Sequence, residues 1–254
     1  MTRINKKFTR VYYDGYDISG YANDIGALDW LYDVSLGAAF SDEVMNGLNG
    51  KVSISAGTIN AYLDNDTAGL LNIAKAVSDA GHSLMIGFGT ASIPVAGDPM
   101  FAWKFQQSSY QSANAEGFTP ATVKVSNASF EGVLTHRKPW GNILHPKGVE
   151  TAVNTAVGID DNGAASALGG IFCYQLLSSD GTVTLSVEDA ATNTNPSFAA
   201  LSGATSGSID ASVTPASGMV ALGVAATVRR YLRWQLAFGT ATTASFVLGF
   251  IRSS

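Results

Sequence analysis

Apolar and polar residues alternate with a period of two along much of the chain. Val52, Ile54 and Ala56 alternate with Lys51, Ser53 and Ser55, and Phe101, Trp103 and Phe105 with Ala102, Lys104 and Gln106. Val123 and Val125 are spaced by Thr122, Lys124 and Ser126, and Val183, Leu185 and Val187 by Thr182, Thr184 and Ser186. Successive side chains of a strand point to opposite faces, so each run predicts a strand with one face on a core. A final strand pair is expected over 228–236 and 245–252, turning at Gly239-Thr240.

One segment has a different period. After Asp64-Asn65-Asp66, apolar residues fall at Leu70, Ile73, Ala74 and Val77, one stripe of a helix. Asp66 suits the N-cap and Gly81 the left-handed residue beyond the C-terminus, which predicts a helix over 67–80. Ser41 to Gly47 suggests a helical turn, and Asn195 to Leu201 a short helix. Between Ala22 and Asn46 the sequence reads as a long loop. Leu28, Trp30, Leu31 and Phe40 on that loop need burial, and a neighbouring subunit is the natural place.

Arg137-Lys138-Pro139-Trp140-Gly141 through His145-Pro146-Lys147-Gly148 is dense in breakers, and no lysine follows Lys147. Both features predict a linker over 138–148. The expected organisation is therefore a β-sandwich with a helix at 67–80 in residues 1–137, and a second β-rich domain at 149–254.

Composition narrows the function. Only 14% of the 254 residues are charged, against roughly 25% in an average soluble domain, while 46% are hydrophobic and 27 are glycine. That excludes a mainly disordered chain and suggests a surface covered in an assembly. The net charge of −5 has the wrong sign for a nucleic-acid binder that works by counterion release. No apolar stretch follows the basic Met1 to Lys7, and no run approaches a membrane span, so neither a secretory signal nor a membrane partner is expected.

Motifs for chemistry are sparse. There is no phosphate loop and no dinucleotide fingerprint, and Gly87-Phe88-Gly89 reads as a turn. His82, His136 and His145 lack zinc spacing, and Cys173 in Ile171-Phe172-Cys173-Tyr174 reads as a buried inert thiol. Asp14, Asp17, Asp24, Asp29 and Asp33 read as turn and loop residues beside glycines rather than as a glycosidase pair. Asp64 and Asp66 lack the remaining ligands of a calcium loop. Hence no catalytic residue, metal or cofactor is expected. In Val228-Arg229-Arg230-Tyr231-Leu232-Arg233-Trp234 the basic residues would bind nucleic acid or, more simply, pair with acids of the same domain or a neighbour.

The opening Val11-Tyr12-Tyr13-Asp14-Gly15-Tyr16-Asp17-Ile18-Ser19-Gly20-Tyr21 resembles the start of the tail tube (major tail) proteins of long-tailed bacteriophages. Gly47-Leu48-Asn49-Gly50-Lys51, the capped helix and the ending Arg230 to Trp234 through Phe250-Ile251-Arg252 follow the same pattern and order. The resemblance implies a mainly β fold, a sandwich or half-barrel flanked by one α-helix, whose copies form rings that stack into a tube. It implies a hexameric ring or a trimer of two-domain chains. The implied partners are other copies, tail proteins such as the tape measure, and DNA passing transiently. The implied location is the virion tail, after synthesis in the host cytoplasm. Residues 1–137 would build the wall, and 149–254 would be either decoration or a duplicated tube domain. Two alternatives stand beside it: a capsid decoration protein, and an adhesin or carbohydrate-binding sandwich using Trp103, Trp140 or Trp234, of which only Trp140 is expected to be exposed.

Overall fold

Two separate demands shape this chain: alternating strands must bury one face, and strands apolar on both faces must be covered twice. The computed structural model describes residues 6–20, 22–26, 29–37, 46–55, 58–62, 73, 81–112, 120–127, 139–161 and 164–253. In chain order its strands are β1 (Thr9–Tyr13), β2 (Tyr16–Asp17), β3 (Ala22–Ile25), β4 (Asp29–Gly37), β5 (Asn46–Ser55) and β6 (Thr58–Tyr62). Then come β7 (His82–Phe88), β8 (Pro99–Ser112), β9 (Pro120–Asn127), β10 (Trp140–Glu150), β11 (Ile159–Asp160) and β12 (Gly170–Ser179). The last are β13 (Thr182–Ala190), β14 (Ala199–Asp210), β15 (Ala216–Ala221), β16 (Tyr231–Phe238) and β17 (Ala244–Arg252). The protein is mainly β, as expected.

The chain divides into two units, each discontinuous in sequence. The first takes Met1–Gly20, His82–Lys104 and Phe130–Ser254, and the second Tyr21–Gly81 and Phe105–Ser129. This corrects the expected division into 1–137 and 149–254. It also removes the linker, because Trp140–Glu150 is one strand, paired with β17 on one side and β8 on the other. The breakers that suggested a linker have local uses. Pro146 and Gly148 fall where the β10–β17 register shifts, between His145 and Gly148. A bulge leaves a residue out of the ladder, so a missing N–H there costs little. Gly141 is required by close approach, since a Cβ on it would lie 2.1 Å from the Phe250 carbonyl oxygen. Gly141→Ala should destabilise the first unit by about 1–3 kcal/mol, the usual cost of overpacking; unchanged chemical denaturation would show that β17 yields freely.

In the first unit one sheet has the order β15-β12-β17-β10-β8-β7-β1-β2. A second sheet, β11-β16-β13-β14, packs on it. Between the layers lie Phe172, Leu176, Val183, Leu185, Val187, Leu232, Leu236, Phe246, Leu248 and Phe250. Strand β13 shows the alternation read from its sequence: Val183, Leu185 and Val187 are buried and the residues between them half-buried. Strand β17 is buried except at Ser245, because Val247 and Ile251 belong to its opposite face. The β1–β2 hairpin turns at Asp14 and Gly15, both at positive φ, as a two-residue turn requires. The Gly15 N–H donates to the buried Gln175 side chain on β12, and Gln175 Nε2 donates to Ser83 Oγ on β7. Side chains thus tie the first strands to β12.

The expected pairing of the last two strands is also corrected. Strand β16 pairs with β13 and β11, and β17 with β10 and β12. The connection at Gly239-Thr240 carries the chain between layers, and Trp234 meets Phe246 edge-on at 5.6 Å across the core. Asp180 fixes the crossing by accepting the Thr242 hydroxyl and the Thr243 and Thr242 N–H groups, and these bonds hold its carboxyl down at about 2. The expected short helix at 195–201 is a single 3-10 turn, Asn195–Ser197, followed directly by β14.

In the second unit β3, β6, β9 and the later residues of β8 form successive antiparallel pairs. Strands β4 and β5 form a two-stranded ribbon. The stretch expected as a loop at 22–46 therefore contains the strands β3 and β4. The expected helix at 67–80 lies outside the described residues except Ile73, which is helical. The helical turn expected at 41–47 lies outside them as far as residue 45, and Asn46 and Gly47 begin β5.

Candidate assembly surface

A protein that builds assemblies needs unblocked strand edges or exposed apolar surface. A free edge carries unpaired N–H and C=O groups, which proteins normally disable. Three of the four outer strands of the first unit are disabled in identifiable ways. Strands β2 and β11 have two residues each. Strand β14 is long, but its register against β13 shifts twice, and Gly203 and Gly207 adopt positive φ. Bulges of this kind twist an edge away from a partner.

Strand β15 carries no bulge, charge or proline, although β14 runs beside it and the β1–β2 turn packs at its start. It pairs with β12 one-to-one from Ile171 opposite Ala221 to Leu176 opposite Ala216, without a shift. Its sequence, Ala-Ser-Gly-Met-Val-Ala, contains no charge and no proline. Just beyond it the Leu222 N–H donates to the Gly170 carbonyl. Antiparallel bonding alternates along a strand, so residues 220, 218 and 216 bond inward and residues 217, 219 and 221 present their backbone groups outward. Among the described residues, β15 is the terminal strand of this sheet.

Beyond β11 the edge of β16 is covered by an extended strap, residues 151–158. The Gln235 carboxamide accepts the Asn154 N–H and donates to the Asn154 carbonyl. Asn193 makes the same two bonds to Gly158. Each amide side chain stands in for a neighbouring strand. Asn154 points inward and donates to the Trp234 carbonyl, while Val153 and Val157 face solvent. Gln235→Leu should free the strap, at a cost of about 1–3 kcal/mol for the backbone groups left without a partner. Faster amide exchange confined to residues 151–158 is the expected reading; unchanged exchange would mean the strap is held otherwise.

The arginines of β16 and its neighbourhood pair with acids of the same unit. Arg229 meets Asp189, Arg230 meets Asp160, and Arg233 meets Glu188 at 2.6 Å. Arg252 is the most enclosed. It bonds Asp161 at 2.6 Å, and its remaining donors reach the carbonyls of Val228 and Arg229. This is the simpler of the two sequence readings of the basic strand.

Of the expected interface residues, Trp30 and Leu31 lie on β4, opposite Ile54 and Ser53 of β5. Leu28 and Phe40 lie outside the described residues. In the β4–β5 register Trp30 lies opposite Ile54 and Tyr32 opposite Val52. The β4 alternation, Trp30, Tyr32 and Val34 against Leu31, Asp33 and Ser35, was the available signal that this stretch is a strand. Trp103 is buried, Trp234 packs on the core, and Trp140 is 43% exposed.

Titratable groups show no reactive arrangement. Burial pushes the Cys173 thiol and the Tyr12 and Tyr13 hydroxyls up, away from ionisation. Burial opposes ionisation of Asp17 as well, but Lys147 at 2.7 Å and Ser19 outweigh it and hold that carboxyl below its ordinary value. Asp14 accepts from the Ser83 N–H and holds His82 Nδ1, so it is a turn residue as expected. His145 is enclosed between sheets, and His136 lies outside the described residues. Among the described residues no three His, Cys, Asp or Glu side chains gather as a metal site, and no helix is long and apolar enough to cross a membrane.

No protein-family profile and no curated protein matches the chain. Among solved structures it is similar to the crystal structure of the Dit protein of phage SPP1, described as a paradigm of the hub adsorption apparatus in phages that infect Gram-positive bacteria. That similarity has 14% identity and a TM-score of 0.30, over 95% of this chain and 98% of the other.

Proposed function

We propose that this protein is a structural subunit of a phage tail that assembles with copies of itself through the outer edge of β15. The observation that carries the reading is the contrast among strand edges. Strands β2, β11 and β14 are short or bulged, while β15 keeps a straight, uncharged row of outward backbone groups at residues 217, 219 and 221. An edge kept straight and free of charge and proline is suited to adding a strand from another copy. The low charge, the mainly β architecture and the sequence resemblance to tail tube proteins support the same reading. In that reading copies close into rings and stack, and the ribbon bearing Trp30 and Leu31 supplies a second contact, together with Leu28 and Phe40. The lumen of such a tube passes DNA and holds a tape-measure protein.

Electron microscopy of the purified protein, with light scattering over a concentration series, tests it. Rings or tubes are the expected result. A monomer at every concentration, with no polymer on long incubation, overturns self-assembly. Trimers without stacking would favour the decoration reading, and glycan binding lost on Trp140→Ala would favour the adhesin reading.

A further inference from the structure

The outward row of β15 is symmetric about its own centre. Ser217, Met219 and Ala221 present their N–H and C=O groups away from β12, with Met219 in the middle. An antiparallel neighbour meets such a row in pairs, each exchanging two N–H···O bonds. A second β15 laid with Met219 opposite Met219 forms three of these pairs, the other two setting Ser217 opposite Ala221. A register shifted by two residues forms fewer. It carries one end of the row onto Pro215, which has no N–H, or onto Gly223 beyond the strand.

Two further observations fit the same pairing. A contact built from one patch on both copies brings like residues together, so a charge near its centre would oppose its own counterpart. Residues 199–228 contain one charged residue, Asp210, although 14% of the chain is charged. Strand β14, which runs beside β15, therefore brings no charge before its last residue. Asp210 itself accepts the Ser212 N–H. Exposed valines flank the edge on both sides. Val213 stands three residues before Ala216 and is 94% exposed, and Val224 stands three residues after Ala221 and is 46% exposed. With the two strands antiparallel, Val213 of each copy comes to the same end as Val224 of the other, so each end of the pair gathers two exposed apolar side chains.

We propose that β15 pairs with β15 of a second copy, antiparallel about a two-fold axis at Met219, and that this dimer is the unit from which larger assemblies are built. The inference rests on the reading of β15 as an assembly edge and adds its partner, register and symmetry. The pairing continues the sheet from one subunit into the next. It also uses the same patch on both copies, so it closes on itself and cannot propagate a ring alone. Rings then join dimers through a different surface, and every assembly with all its β15 edges paired holds an even number of chains.

Val213→Cys and Val224→Cys, made separately in the full-length protein, test the pairing, since both positions are exposed and Cys173 is buried out of reach. The probe is a flexible bis-maleimide shorter than β15, whose six residues span roughly 20 Å. Cross-linked pairs are expected when the two variants are mixed and lost when either is alone, because each cysteine then has a valine beside it and its own counterpart at the far end. Light scattering of the native protein on dilution should pass through a dimer. Either variant cross-linking to itself as readily as in the mixture overturns the two-fold pairing, and so does a trimer or other odd-numbered closed species. Assemblies that Ser217→Pro abolishes but that give no mixed cross-link overturn this inference alone, leaving β15 an edge with another partner strand. Assemblies that survive Ser217→Pro, or a monomer at every concentration, remove the β15 edge and this inference with it.

Discussion

Arg252→Met should cost about 3–5 kcal/mol of folding stability, the usual penalty for removing one member of a buried ion pair. The substitution leaves Asp161, 2% exposed, without its cation. It also strips hydrogen bonds from the Val228 and Arg229 carbonyls, which hold the approach to β16 against the end of β17. Asn142 still donates to Asp161, so the acid keeps one neutral partner. Urea denaturation measures the loss. The double variant Arg252→Met, Asp161→Asn should recover much of it, because the unpaired charge is then gone. A single variant as stable as the native protein would mean that water reaches Asp161 and that the pair is not truly enclosed.

Ser217→Pro should abolish polymerisation while leaving the subunit folded. Residue 217 presents its N–H outward, so proline there removes a donor from the free edge and sets a ring where a new strand would lie, while the bonds of β15 to β12 at residues 216 and 218 remain. Proline is tolerated on edges for this reason. The expected result is a native circular-dichroism spectrum, a melting temperature within a few degrees, and a monomer in light scattering at concentrations where the native chain forms rings. Rings of unchanged size from Ser217→Pro would remove β15 from the interface and transfer the burden to the ribbon β4–β5, where Trp30→Ser becomes the next test.

What the sequence made legible follows the physics of each signal. Strand β13 was readable because one face is buried and the other is not, so period-two alternation survives. Strand β17 was readable as a strand but not as a central one: burial on both faces erases the alternation that would show which layer it joins. The pairing error came from this, since a short connection suits a hairpin and a layer crossing equally well. Residues 138–148 misled because proline and glycine mark loops by default, whereas here they mark bulges and a close approach inside a strand. Strand β4 was missed although Trp30, Tyr32 and Val34 recur at every second position, because Leu31 blurs the alternation and aspartates at 29 and 33 resemble turn residues. The ion pair of Arg252 with Asp161 spans 91 positions. No local pattern specifies such a partner, although an arginine ending the run Phe246 to Ile251 was a hint that an acid must be buried nearby. The edge contrast was out of reach for the same reason, because which strand is outermost depends on topology.

The position of β17 sets a schedule for synthesis. It follows the other described strands in sequence, yet it lies between β10 and β12 in the middle of the large sheet. Until it leaves the ribosome, β10 and β12 have no common neighbour, and the β12–β15 pair has no sheet to extend. The tie from Gly15 to Gln175 spans 160 positions and also waits on a long search, since distant pairings form slowly. A nascent subunit therefore cannot offer a fully backed β15 edge until β17 has emerged, while many copies on one polysome are crowded together. On the proposed reading, joining through β15 waits for β17, which protects the subunit from premature joining during translation.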